Sequence, residues 1–362
     1  MSDKIRVVVV GLGHMGSSHA QAYNAVPGFE VVGLVDARQE AFDRLAPQFP
    51  GAKYYAKFDK ALSELKPDAV AICTYPDTHA AIATKALKAG CHVFVEKPIA
   101  TTVAQAKSVI ALAKAKKKKL VVGYILRHHP AWQIFIEQAQ KLGKPLVMRM
   151  NLNQQSYGSN WNTHKNLMKA LSPIVDCGVH YVDVMCQMTR SKPVQVHAIG
   201  ARLTKEIKSS QYNYGQLQVT FADGSVGWYE AGWGPMMSNV AFFVKDVVGP
   251  KGCVSIVEPP KTNANGSEKD SSDIDSHTKT NCLRVHHSEL NAEGNFAQED
   301  TFIDTADEPV HQDLCNREQA FFLKAIKENI NLKDHLEDAL NSLRIVLAAD
   351  QSVRTKKVVH LN

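Results

Sequence analysis

The chain has 362 residues, 44% hydrophobic and 22% charged, with a formal net charge of +6. The length predicts two domains rather than one enlarged core. Composition and mild charge argue against disorder and against nucleic acid as a partner, because the basic run Lys114 to Lys119 carries no interleaved aromatics and suits the negative pole of a helix. The seven cysteines form no Cys-x-x-Cys pair, and their odd number argues against a disulfide framework. No apolar run approaches about 18 residues and the start, MSDKIRVVVVG, has no leader-like segment, so a cytoplasmic protein without membrane contact is expected.

In chain order, Ile5 to Val10 reads as a strand whose continuous valines imply burial on both faces. Gly11-Leu12-Gly13-His14-Met15-Gly16 follows, opening a helix, and EVVGLVDARQE supplies a second strand ending at Asp36. Asp36 stands 20 residues after Gly16, the spacing a dinucleotide site requires. Gly11 is expected at the tight turn, Gly13 where backbone meets a pyrophosphate, and Gly16 where helix packs on strand. Asp36 is expected to accept from the ribose hydroxyls, which favours NAD. NADP stays open, because Arg38 stands two residues on.

Further strands are expected at 67–76, 92–98 and 120–124, separated by helices. One of these helices ends at Gly90, and another begins with a Thr102/Gln105 capping box. The alternation predicts a doubly wound parallel sheet over residues 1–126, with Glu96-Lys97-Pro98 at its carboxyl edge, where ligands bind. From 127 the pattern changes. A helix over 130–141 and strands at 145–155, 193–203, 214–233, 240–248 and 252–258, with a hairpin at Asp223-Gly224, predict an α+β domain over 127–362. Its sheet is expected to be large, open and mostly antiparallel. Phe221, Trp228, Phe242 and Phe243 suit either its core or an interface between copies. The polar stretch 259–312 is expected to hold two short strands, CLRVHH and TFIDT, and a helix over about 333–352 to return to the first domain. The adjacent pairs His128-His129 and His286-His287 point different ways on a strand, so no metal is expected there.

In SPIVDCGVHYVDVM, Asp176 and His180 are four apart, so on one helix they share a face. A carboxylate beside an imidazole can orient it and stabilise its protonated form. Trp161, His164 and Asn160 form a polar stretch suited to lining a pocket for hydroxyls.

GLGHMGSSHA, CTYPDTHAAIATKALKAGCHVFVEKPIA, VVGYILRHHPAW and SPIVDCGVHYVDVM together resemble the Gfo/Idh/MocA oxidoreductases, over nearly the whole chain. The resemblance implies that Thr74, Pro76, His79 and Glu96 lie at the cofactor, with Glu96 near its ribose. It implies that Lys97 touches the reacting hydroxyl before a cis Lys97–Pro98 peptide, that His180 is the acid/base, and that Arg127 contacts substrate. The function it implies is NAD-dependent oxidation of a secondary hydroxyl of a cyclic polyol or sugar, an inositol first, by a homo-oligomer (dimer or tetramer) joined through the second sheet. An NAD-dependent glycosidase using transient oxidation and a non-catalytic NAD-binding regulator are the alternatives. Leu171-Ser172 and Ile125-Leu126 depart from the family's usual residues and leave the substrate open.

Overall fold

The structure, a computed structural model, describes residues 4–238, 244–258 and 271–361. The chain divides into two compact units, Met1–Ile125 with Val310–Leu340, and Leu126–Pro309 with Asn341–Asn362.

The first unit alternates β1 (Ile5–Val10), α1 (His14–Ala25), β2 (Phe29–Val35), α2 (Gln39–Leu45), β3 (Lys53–Tyr55), α3 (Phe58–Leu65), β4 (Ala69–Ile72), α4 (Pro76–Lys88), β5 (His92–Glu96), α5 (Val103–Ala115) and β6 (Leu120–Gly123). Its six strands are all parallel, in the order β3-β2-β1-β4-β5-β6. Val7 to Val9, Ala69 to Ile72 and Val93 to Val95 are fully buried, as a sheet covered on both faces demands. Gly90, at φ +87°, ends α4 as its position suggested. At α5 the Thr102 hydroxyl accepts from Gln105 N at 3.2 Å, while the Gln105 side chain turns to Thr101 instead of closing a capping box.

The second unit opens with α6 (Pro130–Lys141), β7 (Val147–Gln155), α7 (Gly158–Leu167), α8 (Pro173–Asp176) and α9 (Gly178–Thr189). It continues with β8 (Pro193–Ala201), β9 (Tyr214–Phe221), β10 (Val226–Gly234), β11 (Lys245–Gly249), β12 (Gly252–Val257), α10 (Ile274–Thr278), β13 (Asn281–His287) and β14 (Thr301–Thr305). With the late strand at Val359–His360, the sheet has nine strands, antiparallel except where β10 runs parallel to β7. The expected hairpin joins β9 to β10, with Gly224 at φ +82° and Ser225 N donating to the Asp223 carboxylate at 3.0 Å. Phe221 is 1% exposed and belongs to the core, because its strand turns odd-numbered residues inward. Phe242 and Phe243, and the first part of the expected 240–248 strand, lie outside the described residues.

Two helices then close the chain, α11 (His311–Lys327) and α12 (Lys333–Thr355). Residues 310–340 group with the first unit, although the sequence division placed them in the second domain. The reason is apolar: Phe322, Ala325 and Leu332 join Val7, Tyr23, Phe29 and Phe94 in one buried cluster.

Candidate cofactor and active site

In a parallel sheet the carboxyl ends of β1, β4 and β5 lie on one edge, and the strand order reverses between β1 and β4. The glycine turn occupies that edge. Gly11 has φ +88°, and a Cβ on it would stand 2.6 Å from Cys73 O; a Cβ on Gly16 would stand 1.8 Å from Gly11 O. Gly13 has no neighbour within 4 Å of such a Cβ, so the turn is filled on its inner side and open on its outer side. Gly13 is also the N-cap of α1, which has no side-chain cap and no acidic residue in its first turn. Its leading amides are thus suited to an anion.

A groove lined by Gly13, His14, Ser17, Gln21, Arg38 and Arg44 opens beside the turn. Asp36 sits at the end of β2, its oxygens accepting from Leu12 N at 2.8 Å and Arg38 N at 3.0 Å. Partial burial acts to raise its pKa. The two N–H groups and the Arg38 guanidinium outweigh that and hold the carboxyl below its ordinary value. Arg44, which sequence reasoning missed, donates to Leu12 O at 2.8 Å and so brings a second guanidinium to the turn. His14 is exposed and Met15 half-buried beside Gly13. These residues fit a dinucleotide: a cradle any Cβ would fill, uncapped amides and an ionised carboxylate.

At the end of β5, Glu96 is 6% exposed and faces inward, whereas a ribose contact was expected. Its Oε1 lies 2.7 Å from His19 Nε2, and its Oε2 accepts from Lys97 N at 3.1 Å. Glu96 therefore clamps the backbone at Lys97, which is half-buried ahead of a cis Lys97–Pro98 bond. His79, expected among the cofactor contacts, is fully buried, with Nδ1 2.8 Å from Pro98 O and Nε2 2.9 Å from Thr74 O. Burial keeps this imidazole neutral, so its one N–H serves one carbonyl at a time, and the residue is a strut between the two loops. Thr74, half-buried, shares a hydrogen bond with Thr78 at 2.6 Å, and Pro76 is the buried first residue of α4.

In the second unit Asp176 and His180 are both half-exposed, but not on one continuous helix. Asp176 ends α8, α9 begins at Gly178, and His180 N reaches Cys177 O in a tightened turn at 3.2 Å. Gly178, the first residue of α9, packs against the Tyr229 ring, which would stand 2.8 Å from any Cβ at that position. Cys177 Sγ lies 3.4 Å from Gln154 Oε1, which also accepts from Trp233 Nε1 at 2.8 Å. Gln154 Nε2 lies 3.3 Å from His277 Nε2, and the Trp233 ring stacks on His164 at 4.3 Å. Gln154 thus meets Cys177 within the Asp176–His180 turn and carries Trp233 and His277 as its partners, and the sequence singled out none of the three. Gln154 and Trp233 were hidden in strand patterns, and His277 in the polar stretch.

Two expected substrate residues are committed elsewhere. Arg127 forms a two-pronged ion pair with Asp183, at 2.8 and 2.6 Å, with the side chains only 12% and 1% exposed. Burial acts first on Asp183 and raises its pKa, against the pull of Arg127. Trp161 is 5% exposed and donates to Glu206 at 3.2 Å. Asn160 is exposed.

Residues 5–124 match the family of oxidoreductases described as having an NAD-binding Rossmann fold, and residues 136–253 match the Gfo/Idh/MocA C-terminal domain. The chain is 31% identical over 196 residues to the UDP-N-acetylglucosamine 3-dehydrogenase of Acidithiobacillus ferrooxidans, covering 54% of this chain and 58% of that one. It is 28% identical over 218 residues to the inositol 2-dehydrogenase/D-chiro-inositol 3-dehydrogenase of Lacticaseibacillus casei, covering 59% and 61%. The matches thus span less than two thirds of those relatives. The fold superposes on scyllo-inositol dehydrogenase of Lactobacillus casei, solved with NAD(H) and scyllo-inositol, at a TM-score of 0.76 and 19% identity, over 99% of both chains. Among the described residues no helix is long and apolar enough to cross a membrane.

Proposed function

We propose that this chain, which belongs to the Gfo/Idh/MocA family of oxidoreductases, is an NAD-dependent dehydrogenase of a secondary hydroxyl on a cyclic polyol or sugar. Its first unit is an NAD-binding Rossmann domain, in which the glycine turn, α1's first amides and Asp36 would hold the dinucleotide. NAD, when bound, accepts hydride from the carbinol carbon. The observation that carries the reading is the clamp at the end of β5. A buried carboxylate fixes the backbone of Lys97 on the sheet edge that carries the glycine turn.

In this reading the Lys97 ammonium donates to the reacting oxygen and stabilises the developing alkoxide. His180 takes the hydroxyl proton, with Asp176 nearby in sequence to favour the imidazolium. Gln154, His164 and His277 offer hydrogen-bond partners for the remaining hydroxyls.

An inositol is the first substrate proposed, supported by the relative from Lacticaseibacillus casei. A nucleotide-sugar is the second reading, favoured by the relative from Acidithiobacillus ferrooxidans. Against it, Arg127 and Lys165 in the second unit are paired with Asp183 and Glu206 rather than directed at a diphosphate. The test is to offer the purified protein NAD with myo-, scyllo- and chiro-inositol, common aldoses and UDP-N-acetylglucosamine while NADH absorbance is followed. NADH formation from at least one free polyol or pyranose is expected. Turnover of the nucleotide-sugar alone would favour the second reading, and no reduction with any of them would overturn both.

Association between copies through the outer face of the nine-stranded sheet belongs to the same proposal. Val147, Ile199, Val226 and Val248 are 38–54% exposed on that face. Light scattering of the wild type and Val226→Glu tests it: an oligomer that the substitution dissociates is expected, and a wild-type monomer would refute it.

A further inference from the structure

Inside the first unit is a cluster of which the proposed dehydrogenase chemistry uses only His19, through its contact with Glu96. A ring nitrogen of His19, the Sγ of Cys315 and a carboxylate oxygen of Glu318 lie within 4.8 Å of one another, and all three residues are buried. His19 comes from α1, while Cys315 and Glu318 come from α11, one turn apart on one face. Glu318 is 1% exposed, and neither of its oxygens has a hydrogen-bond partner. A buried carboxyl in that condition is costly whether charged or neutral, because its desolvation is not repaid by any donor or acceptor. Burial, and after it the nearby Glu96 carboxylate, hold Glu318 well above the usual carboxylate range. Burial likewise pushes the Cys315 thiol up. A cation would reverse both effects at once.

We propose that His19, Cys315 and Glu318 form a structural site for a divalent transition-metal ion of the zinc type, pinning α11 to α1. The donor set of imidazole, thiolate and carboxylate is one that zinc accepts. His19 is already prepared in the manner of a metal ligand. Its Nε2 is engaged by the Glu96 carboxylate at 2.7 Å, which leaves Nδ1 to face the ion. The amide of Gln319, now 2.9 Å from Nδ1, would rotate away. A fourth ligand is within reach, since His311 Nδ1 lies 3.8 Å from Cys315 Sγ, one helical turn earlier. Three buried ligands, completed by the half-buried His311, leave no position for substrate, so the ion's role is stability and not turnover.

The test uses full-length protein stripped with a chelator and titrated with Co²⁺ as a spectroscopic substitute for Zn²⁺. One equivalent of Co²⁺ per chain with a thiolate-to-cobalt charge-transfer band is expected. The band should vanish in Cys315→Ser, and affinity should fall at least about tenfold in Glu318→Gln. Zn²⁺ should raise the unfolding temperature of the wild type, and a chelator should reverse that rise. Absence of stoichiometric Co²⁺ binding would overturn the proposal, as would a thiolate band that persists in Cys315→Ser. So would a Glu318→Gln variant that is more stable than stripped wild type and binds Co²⁺ equally well, because Glu318 would then be only a buried neutral acid. None of these readings depends on NAD or on turnover, so the site and the proposed activity stand or fall separately.

Discussion

The Nε2 of His19 lies 2.7 Å from Oε1 of Glu96, and both side chains are buried at the end of the parallel sheet. Gln319 Nε2 stands 2.9 Å from the other ring nitrogen. An amide nitrogen only donates, so with the amide in this orientation Nδ1 accepts and Nε2–H donates to Glu96. The second oxygen of Glu96 takes the Lys97 N–H. Three elements far apart in sequence thus set the position of one lysine.

Removing the imidazole should therefore affect more than stability. His19→Ala leaves a buried carboxylate oxygen without its donor, a loss of about 1–3 kcal/mol. It should also lower kcat while NAD affinity stays within a few-fold of wild type. His19→Gln, which restores a donor, should recover part of kcat. Thermal unfolding, steady-state kinetics and NAD titration on the three proteins decide it. An unfolding shift with unchanged kcat would make the contact structural only.

Lys97→Met should abolish turnover and leave NAD binding nearly intact. Lys97 is held at the sheet edge by its backbone, whereas the dinucleotide is assigned to the glycine turn and Asp36. Collapse of NAD affinity together with turnover would make Lys97 a cofactor ligand.

Much of the first unit was legible because its valine runs, glycine turn and strand–helix alternation are local signals. The hairpin at Gly224 was equally plain. The break at Cys177 was not, because Asp176 and His180 keep the spacing of one continuous helix across it. Nor was the fate of Arg127, whose partner Asp183 lies 56 residues away. His19 could have been found: Gly16, His19, Ala20 and Tyr23 are buried at helical spacing, so a polar residue on that inner face of α1 needed a partner. What the sequence could not supply was the identity of that partner, 77 residues on.

Cofactor choice turns on Asp36 and the two arginines beside it. Asp36 repels a 2′-phosphate, while Arg38 and Arg44 would attract one once the carboxylate is gone. Asp36→Ser should therefore lower the preference for NAD and make NADP usable, measured as the ratio of kcat/KM for the two. Comparable use of both by the wild type would refute the assignment.

Acid should weaken the β9–β10 hairpin through Asp223. Burial acts to raise its pKa, but Lys144, Thr189 and Ser225 together lower it to about 2 from an ordinary 3.8. A depressed folded-state pKa contributes stability that is present above the unfolded value and lost as pH falls through the folded one. The window is thus about pH 4 down to about pH 2. Discounted for partial exposure, the contribution is on the order of 1–2 kcal/mol. Asp223→Asn should lower stability at pH 7 by that amount and flatten its decline across the window in denaturant titrations. Parallel declines for the two proteins would count against it.

The proposed base gives the last expectation. His180 must be neutral to take a proton, so kcat/KM should rise with pH through one ionisation and then level off. His180→Ala should lose that limb and fall in rate by about 10²–10⁴, the usual contribution of a positioned base. Loss of the limb is the sharper readout, since a packing defect would lower rates without removing an ionisation. Residual activity in His180→Ala with an unchanged pH profile would place the base elsewhere, with Lys97 the next candidate.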